Sequence, residues 1–122
     1  MYDDICKLKK LFTFVYEIEA QIRESTDLTA NEVFVLCLLS KGVERPNDIA
    51  SELDLSLSRV SKILGPLEEK EFINRVLDKE DKRKFSFILT DSGTERVGKI
   101  KKIELKKFFE KNSLLKTVCS YF

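Results

Sequence analysis

The sequence has no histidine and no tryptophan, and its three cysteines, Cys6, Cys37 and Cys119, stand far apart with no CxxC pair. Without histidine the chain lacks the commonest general base, proton shuttle and metal ligand. A Ser-His-Asp or Cys-His enzyme is excluded, and so is a zinc finger, whose ligand set these cysteines cannot complete. Neither a phosphate loop nor a recognisable paired-carboxylate motif is present, so an enzyme is a poor reading and no cofactor or metal is implied. The longest apolar run, VFVLCLL at 33–39, is far short of the roughly 20 residues a membrane-spanning helix needs, and the opening MYDDICKLKK has no signal-peptide apolar region. Unpaired cysteines without a secretory signal fit a reducing cytoplasm.

An excess of one charge is also missing, but only on average. The 22 basic and 21 acidic residues leave a net +1. Residues 1–55 hold 6 basic against 11 acidic side chains, whereas residues 56–122 hold 16 against 10. A nucleic-acid-binding face, if present, belongs to the second half. The 122 residues fit one compact domain, and a hydrophobic fraction of 43% with 9 Phe argues for a folded one.

Along the chain, residues 3–25 read as a helix, with Ile5, Leu8, Phe12, Val15 and Ile22 at 3-4 spacing and Leu11 and Ile18 widening the stripe. Thr29 opens a second helix through the capping box TANE, in which the Thr29 hydroxyl meets the Glu32 amide and the Glu32 carboxylate reaches back. This helix is apolar on nearly every side and is expected at the centre of the core. Gly42 ends it. Asn47 is expected to cap a brief helix over 48–54. Ser56 is expected to cap the next, whose inward stripe is Val60, Ile63, Leu64 and Leu67. Two short runs, 72–77 and 84–90, have strand character, with Phe85, Phe87 and Leu89 alternating with Ser86 and Ile88. Thr90 can cap a long final helix from Asp91 to Asn112, and 113–122 reads as one further short helix.

Two short helices joined by a tight turn and followed by a two-stranded hairpin make a winged helix-turn-helix. The second helix of such a pair fits the major groove. Its outward residues here are Ser58, Arg59, Ser61 and Lys62: two short donors that permit close approach, a guanidinium suited to guanine or phosphate, and a flexible cation. The hairpin tip carries Lys79, Lys82, Arg83 and Lys84, a basic loop that can grip an adjacent groove or the backbone. Asp81 is expected to orient Arg83. The two cap residues, Asn47 and Ser56, complete the candidate DNA-contacting set.

These residues resemble the MarR family of bacterial transcription regulators. LTANEVFVLCLLSKG, DIASELDLSLSRVSKILGPLEEKEFINRV and DKEDKRKFSFILTDSG carry the resemblance over about 28–98. The D-x-R wing signature followed by L-T-x-x-G is matched by Asp81, Arg83, Leu89, Thr90 and Gly93. The resemblance implies a homodimer made by the terminal helices, with two winged lobes on a pseudo-palindromic site; the chain is then expected to be a cytoplasmic repressor released by a small ligand or an oxidant. It puts Ser58, Arg59, Ser61 and Lys62 on the recognition helix and Arg83, held by Asp81, at the wing. The chain departs from the family pattern in three places. Gly65-Pro66 is expected to interrupt the recognition helix, with a kink after Lys62. Glu71 replaces the usual turn glycine, which raises the cost of a positive φ there. The chain is also short for the family, which implies reduced dimerisation arms.

The expected fold is mainly α with a small β-hairpin: an N-terminal dimerisation helix (1–27), a winged helix-turn-helix lobe (28–91) and C-terminal dimerisation helices (92–122). The first helix supplies surplus apolar surface for an isologous interface, as do Val97, Ile100, Ile103, Phe108, Phe109, Leu114, Leu115, Val118, Tyr121 and Phe122. Among the cysteines, Cys37 is expected to be buried and inert, and Cys119 a small interface hydrophobe. Cys6, beside Lys7, Lys9 and Lys10 near a helix start, is the candidate redox sensor. By the family resemblance a small aromatic ligand would sit between the arms and the lobe, with Phe12, Tyr16, Phe34 and Ile63 as candidate lining. The partners expected are double-stranded DNA and a second copy of the chain, and no membrane. The competing reading is a winged-helix module that binds protein and no DNA.

Overall fold

The computed structural model describes residues 2–103. Five helices and one hairpin follow in order: α1 (Tyr2–Thr26), α2 (Ala30–Ser40), α3 (Pro46–Leu53), α4 (Leu57–Glu69), β1 (Ile73–Leu77), β2 (Phe85–Leu89) and α5 (Asp91–Lys101). The strands are antiparallel, in a register that sets Ile73 opposite Leu89 and Leu77 opposite Phe85. Among the described residues no helix is long and apolar enough to cross a membrane.

The apolar second helix lies at the centre, as its composition dictates. Val35 and Leu36 are fully buried, Val33 and Leu39 nearly so, and α2 touches α1, α3, α4, α5 and β2. Around it close Ile49 of α3, Val60, Leu64 and Leu67 of α4, Ile73 and Phe87 of the hairpin and Val97 of α5. The capping box forms: Thr29 Oγ1 accepts from the Glu32 N–H at 3.2 Å, and Glu32 Oε1 accepts from the Thr29 N–H at 3.0 Å. The second Glu32 oxygen takes Lys70 Nζ at 3.2 Å, tying the start of α2 to the end of α4. Burial works to raise the Glu32 carboxyl, but the Thr29 N–H and the Lys70 ammonium outweigh it and hold the group below its usual range.

Three expectations need correction. Pro46, not Asn47, sets the start of α3: Arg45 is the N-cap and Asn47 lies inside the helix. The fixed φ of proline suits the first helical position, where its missing N–H would have had no partner anyway. Next, α4 runs without interruption from Leu57 to Glu69 with Pro66 inside. Proline costs about 3 kcal/mol in a helix interior, but Leu64 and Leu67 on either side are buried, each worth about 1.5–3 kcal/mol, which is enough to hold the turn. Finally, α5 stops at Lys101, where the closing bonds become short i→i−3 ones, Lys102 to Lys99 and Ile103 to Ile100. The long helix expected to Asn112 thus ends early within the described residues. The expected helix 113–122, with Cys119, lies outside them, as do Phe108 and Phe109.

Helices α2, α3 and α4 end alike. In each, a residue in the left-handed region is followed by one whose N–H reaches back to the last turn: Val43 to Leu38, Leu55 to Ala50, and Phe72 to Leu67. The left-handed residues are Gly42, Asp54 and Glu71. Glycine meets no steric cost there, whereas Glu71 at φ 63° carries one of about 1 kcal/mol. Thr90 holds this conformation in place: its Oγ1 donates to the Glu71 carbonyl at 2.7 Å and its N–H to that of Phe72 at 3.0 Å. Thr90 also caps α5, accepting from the Gly93 N–H at 3.0 Å. A side chain at Gly93 would collide with the Phe72 carbonyl, so the L-T-x-x-G run is a packing requirement of this corner.

Helix α1 carries two apolar faces rather than one wide stripe. Phe14 and Ile22 are buried, with Leu11 and Ile18 partly so, and Ile18 and Ile22 join the core of the lobe. Ile5, Leu8, Phe12 and Val15 form a second face that stays in solvent, Leu8 51% and Phe12 55% exposed. At the far end of α1 the Arg96 guanidinium donates to the Thr26 carbonyl and stacks 5.0 Å from the Phe72 ring centre, joining α1, α5 and the lobe.

A candidate nucleic-acid interface

Helix α4 turns Val60, Leu64 and Leu67 inward and leaves Ser58, Arg59, Ser61 and Lys62 exposed. Ser56 caps it, its hydroxyl accepting from the Arg59 N–H at 3.2 Å. The cap therefore fixes where the helix begins, and with it which side chains face outward.

The turn between the strands is built from its own carboxylates. Asp78 Oδ1 accepts from the N–H groups of Glu80 at 2.9 Å and Asp81 at 3.4 Å. The Glu80 and Asp81 N–H groups, with the charges of Arg45 and Lys84 adding to them, hold the Asp78 carboxyl below its usual range. Asp81 Oδ1 in turn accepts from both the backbone N–H of Arg83 at 3.0 Å and its Nε at 3.2 Å. The Arg83 side chain is 91% exposed and the Asp81 side chain 34%. A half-sheltered carboxylate thus aims a solvent-facing guanidinium whose remaining donors are directed outward. Lys79, Lys82 and Lys84 are exposed on the same tip.

One open groove brings the two elements together. Asn47 from α3, Ser61 from α4, and Arg83 and Lys84 from the wing line it, as does Arg45. Arg45 is absent from the sequence-derived set. Its only local signal was a basic residue ahead of Pro46, and what reveals it is the tertiary approach of the α3 start to Asp78 and Lys84.

The other candidates fall elsewhere. Phe12, Tyr16 and Phe34 are exposed, while Ile63 packs against the core, and none of the four lines this groove. Cys6 is exposed on α1 beside Lys9 and Lys10. Cys37 is half-buried at the edge of the core rather than buried as expected, and burial pushes its thiol up against the opposing charges of Lys41 and Lys101. Among the described residues no cluster of Cys, Asp and Glu could hold a metal ion.

The same fold is found in known proteins. The chain is similar in fold to a MepR-like protein complexed with pseudoligands, with a TM-score of 0.78 at 22% identity, covering 98% of this chain and 87% of that one. It is also similar to a mutant MarR from E. coli complexed with operator DNA, with a TM-score of 0.77 at 18% identity, covering 99% and 94%. In sequence it is 31% identical over 114 residues to the HTH-type transcriptional regulator YpoP of Bacillus subtilis (strain 168), a match that spans 91% of this chain and 79% of that protein. The model of the transcriptional regulator family SarA/Rot matches residues 17–103. With the fold, the wing signature and these matches together, the chain belongs to the SarA/Rot family of transcriptional regulators and is not an enzyme, and it shares its fold with the MarR and MepR-like structures.

Proposed function

We propose that this chain binds double-stranded DNA as a homodimer, recognising a pseudo-palindromic site and acting there as a repressor. The observation that carries the reading is the single groove on which Ser61 of α4, Arg45 ahead of α3, and Arg83 and Lys84 of the wing converge, beside the exposed face of Ser58, Arg59 and Lys62. In this reading α4 enters the major groove, Arg59 and the short hydroxyls approach base edges, and Asn47, Ser56, Lys62 and the wing cations lie along phosphates. Asp81 keeps Arg83 aimed, so the wing meets the backbone with less ordering cost. The DNA-bound MarR mutant has the same fold, which supports this placement.

The exposed face of α1 supplies the second half of the proposal. Ile5, Leu8, Phe12 and Val15 form a contiguous apolar strip that its own lobe leaves uncovered. A two-fold pairing would bury it and match the symmetry of a palindromic site. Residues 1–27 then act as dimerisation arm with 92–122, and 28–91 as the reading lobe. A small ligand settling near Phe12, Tyr16 and Phe34 would act by favouring a lobe spacing that no longer fits two grooves.

The test is the salt dependence of binding to duplex DNA. Counterion release gives a log–log slope of roughly −0.9 per phosphate neutralised, so a steep negative slope is expected. A flat response would replace this reading with that of a winged-helix module for protein partners.

A further inference from the structure

The outward face of α4 begins with an apolar side chain ahead of its hydroxyls and cations. Leu57 is the first residue of the helix, directly after the Ser56 cap, and is 48% exposed. The core does not account for it, since the inward stripe of α4 is complete without it: Val60, Leu64 and Leu67 are buried and Ile63 packs beside them. Capping does not account for it either, because the Ser56 hydroxyl is met by the Arg59 N–H. A polar residue at this position would avoid the cost of leaving a leucine in water. Leu57 stands one turn before Ser61 on the same face, and both line the groove shared with Arg45, Asn47 and Arg83.

We propose that Leu57 is a specificity-determining residue that reads the C5-methyl group of a thymine. The inference rests on the DNA-binding reading above. In that reading the N-terminal residues of a recognition helix meet base edges, and the thymine methyl is the apolar feature that the major groove displays. Pro46, Val76, Leu77 and Phe85 also line the groove, but the cations Arg45, Arg83 and Lys84 around it complement phosphates, which favours DNA as the occupant. Leu57 then adds a preference at one base pair that the hydroxyls and cations beside it do not provide.

The experiment uses the full chain and a duplex it has enriched from a random-sequence pool. Each thymine is replaced in turn by deoxyuridine, which lacks only the methyl group, and affinity is read by fluorescence anisotropy. For the wild type, one thymine per half-site should respond, with binding about fourfold weaker per methyl lost. Leu57→Ala should bind the unmodified duplex more weakly by a similar factor and become indifferent to deoxyuridine at that same position. Leu57→Met, which keeps an apolar chain of similar volume, should retain the response and serves if the alanine variant loses its circular dichroism spectrum. A wild type indifferent to every replacement, or a Leu57→Ala variant with the wild-type response, overturns the assignment while selection and the salt slope still stand. Failure to enrich any duplex, with no salt dependence, removes the DNA-binding reading itself and this inference with it.

Discussion

Helices α1 and α4 both hold an apolar face against the lobe and expose the opposite one, but what they expose is opposite in kind. Helix α4 shows solvent a polar and basic surface of Ser58, Arg59, Ser61 and Lys62. Helix α1 shows a second apolar strip of Ile5, Leu8, Phe12 and Val15. Polar groups lose little by waiting in water for a polyanion, whereas an apolar strip on a 25-residue helix is costly until another apolar surface covers it. On the proposed function, the outward face of α4 suits a nucleic acid and that of α1 a protein surface, and the two functions can be broken separately.

The largest effect is expected on α1. Leu8→Glu with Phe12→Glu should weaken self-association by about 3–6 kcal/mol, since a two-fold interface suffers each change twice. Sedimentation velocity should then show monomers. The far-UV circular dichroism should stay as in the wild type, because both side chains are solvent-exposed in the single chain. On the α4 side, Arg83→Ala should weaken DNA binding by about 1–3 kcal/mol and leave the sedimentation coefficient alone. Loss of dimers in that variant would mean that the two faces are not independent. The smallest effect tests the lobe itself. Glu71→Gly should relieve the left-handed strain at the end of α4 and stabilise the fold by about 1 kcal/mol, raising Tm by about 4 °C, with neither association nor DNA affinity changed.

Features with a local cause were legible in the sequence. The capping box at Thr29 and Glu32, the Ser56 and Thr90 caps and the alternation of Phe85, Phe87 and Leu89 each state their geometry within a few residues. The wing pair was legible for the same reason, as Asp81 and Arg83 are two residues apart. Glu71 could be read as a costly replacement, although only the structure shows that the position does take a positive φ. Features decided by distant partners were not legible. Periodicity cannot divide the α1 residues between a face through Ile18 and Ile22 and an outward one through Leu8 and Phe12, because both are apolar and only the lobe that packs on Ile18 and Ile22 distinguishes them. The burial of Leu64 and Leu67 is likewise what carries α4 past Pro66. Asn47 and Pro46 competed as the signal for the start of α3, and the backbone constraint of proline prevailed. Arg45 and Leu57 became visible only when the hairpin folded back beside α3 and α4.

The Arg96 clasp gives α1 the mechanics of a lever. One guanidinium holds the Thr26 carbonyl and the Phe72 ring together, so the arm is anchored to the lobe at one end. A helix of 25 residues is about 37 Å long, and a tilt of about 10° at its anchored end sweeps the far end through about 6 Å. A displacement of that size exceeds one base-pair rise. On the proposed dimer, a small tilt near Thr26 and Arg96 would be amplified along α1 into a displacement on the scale of the base-pair spacing.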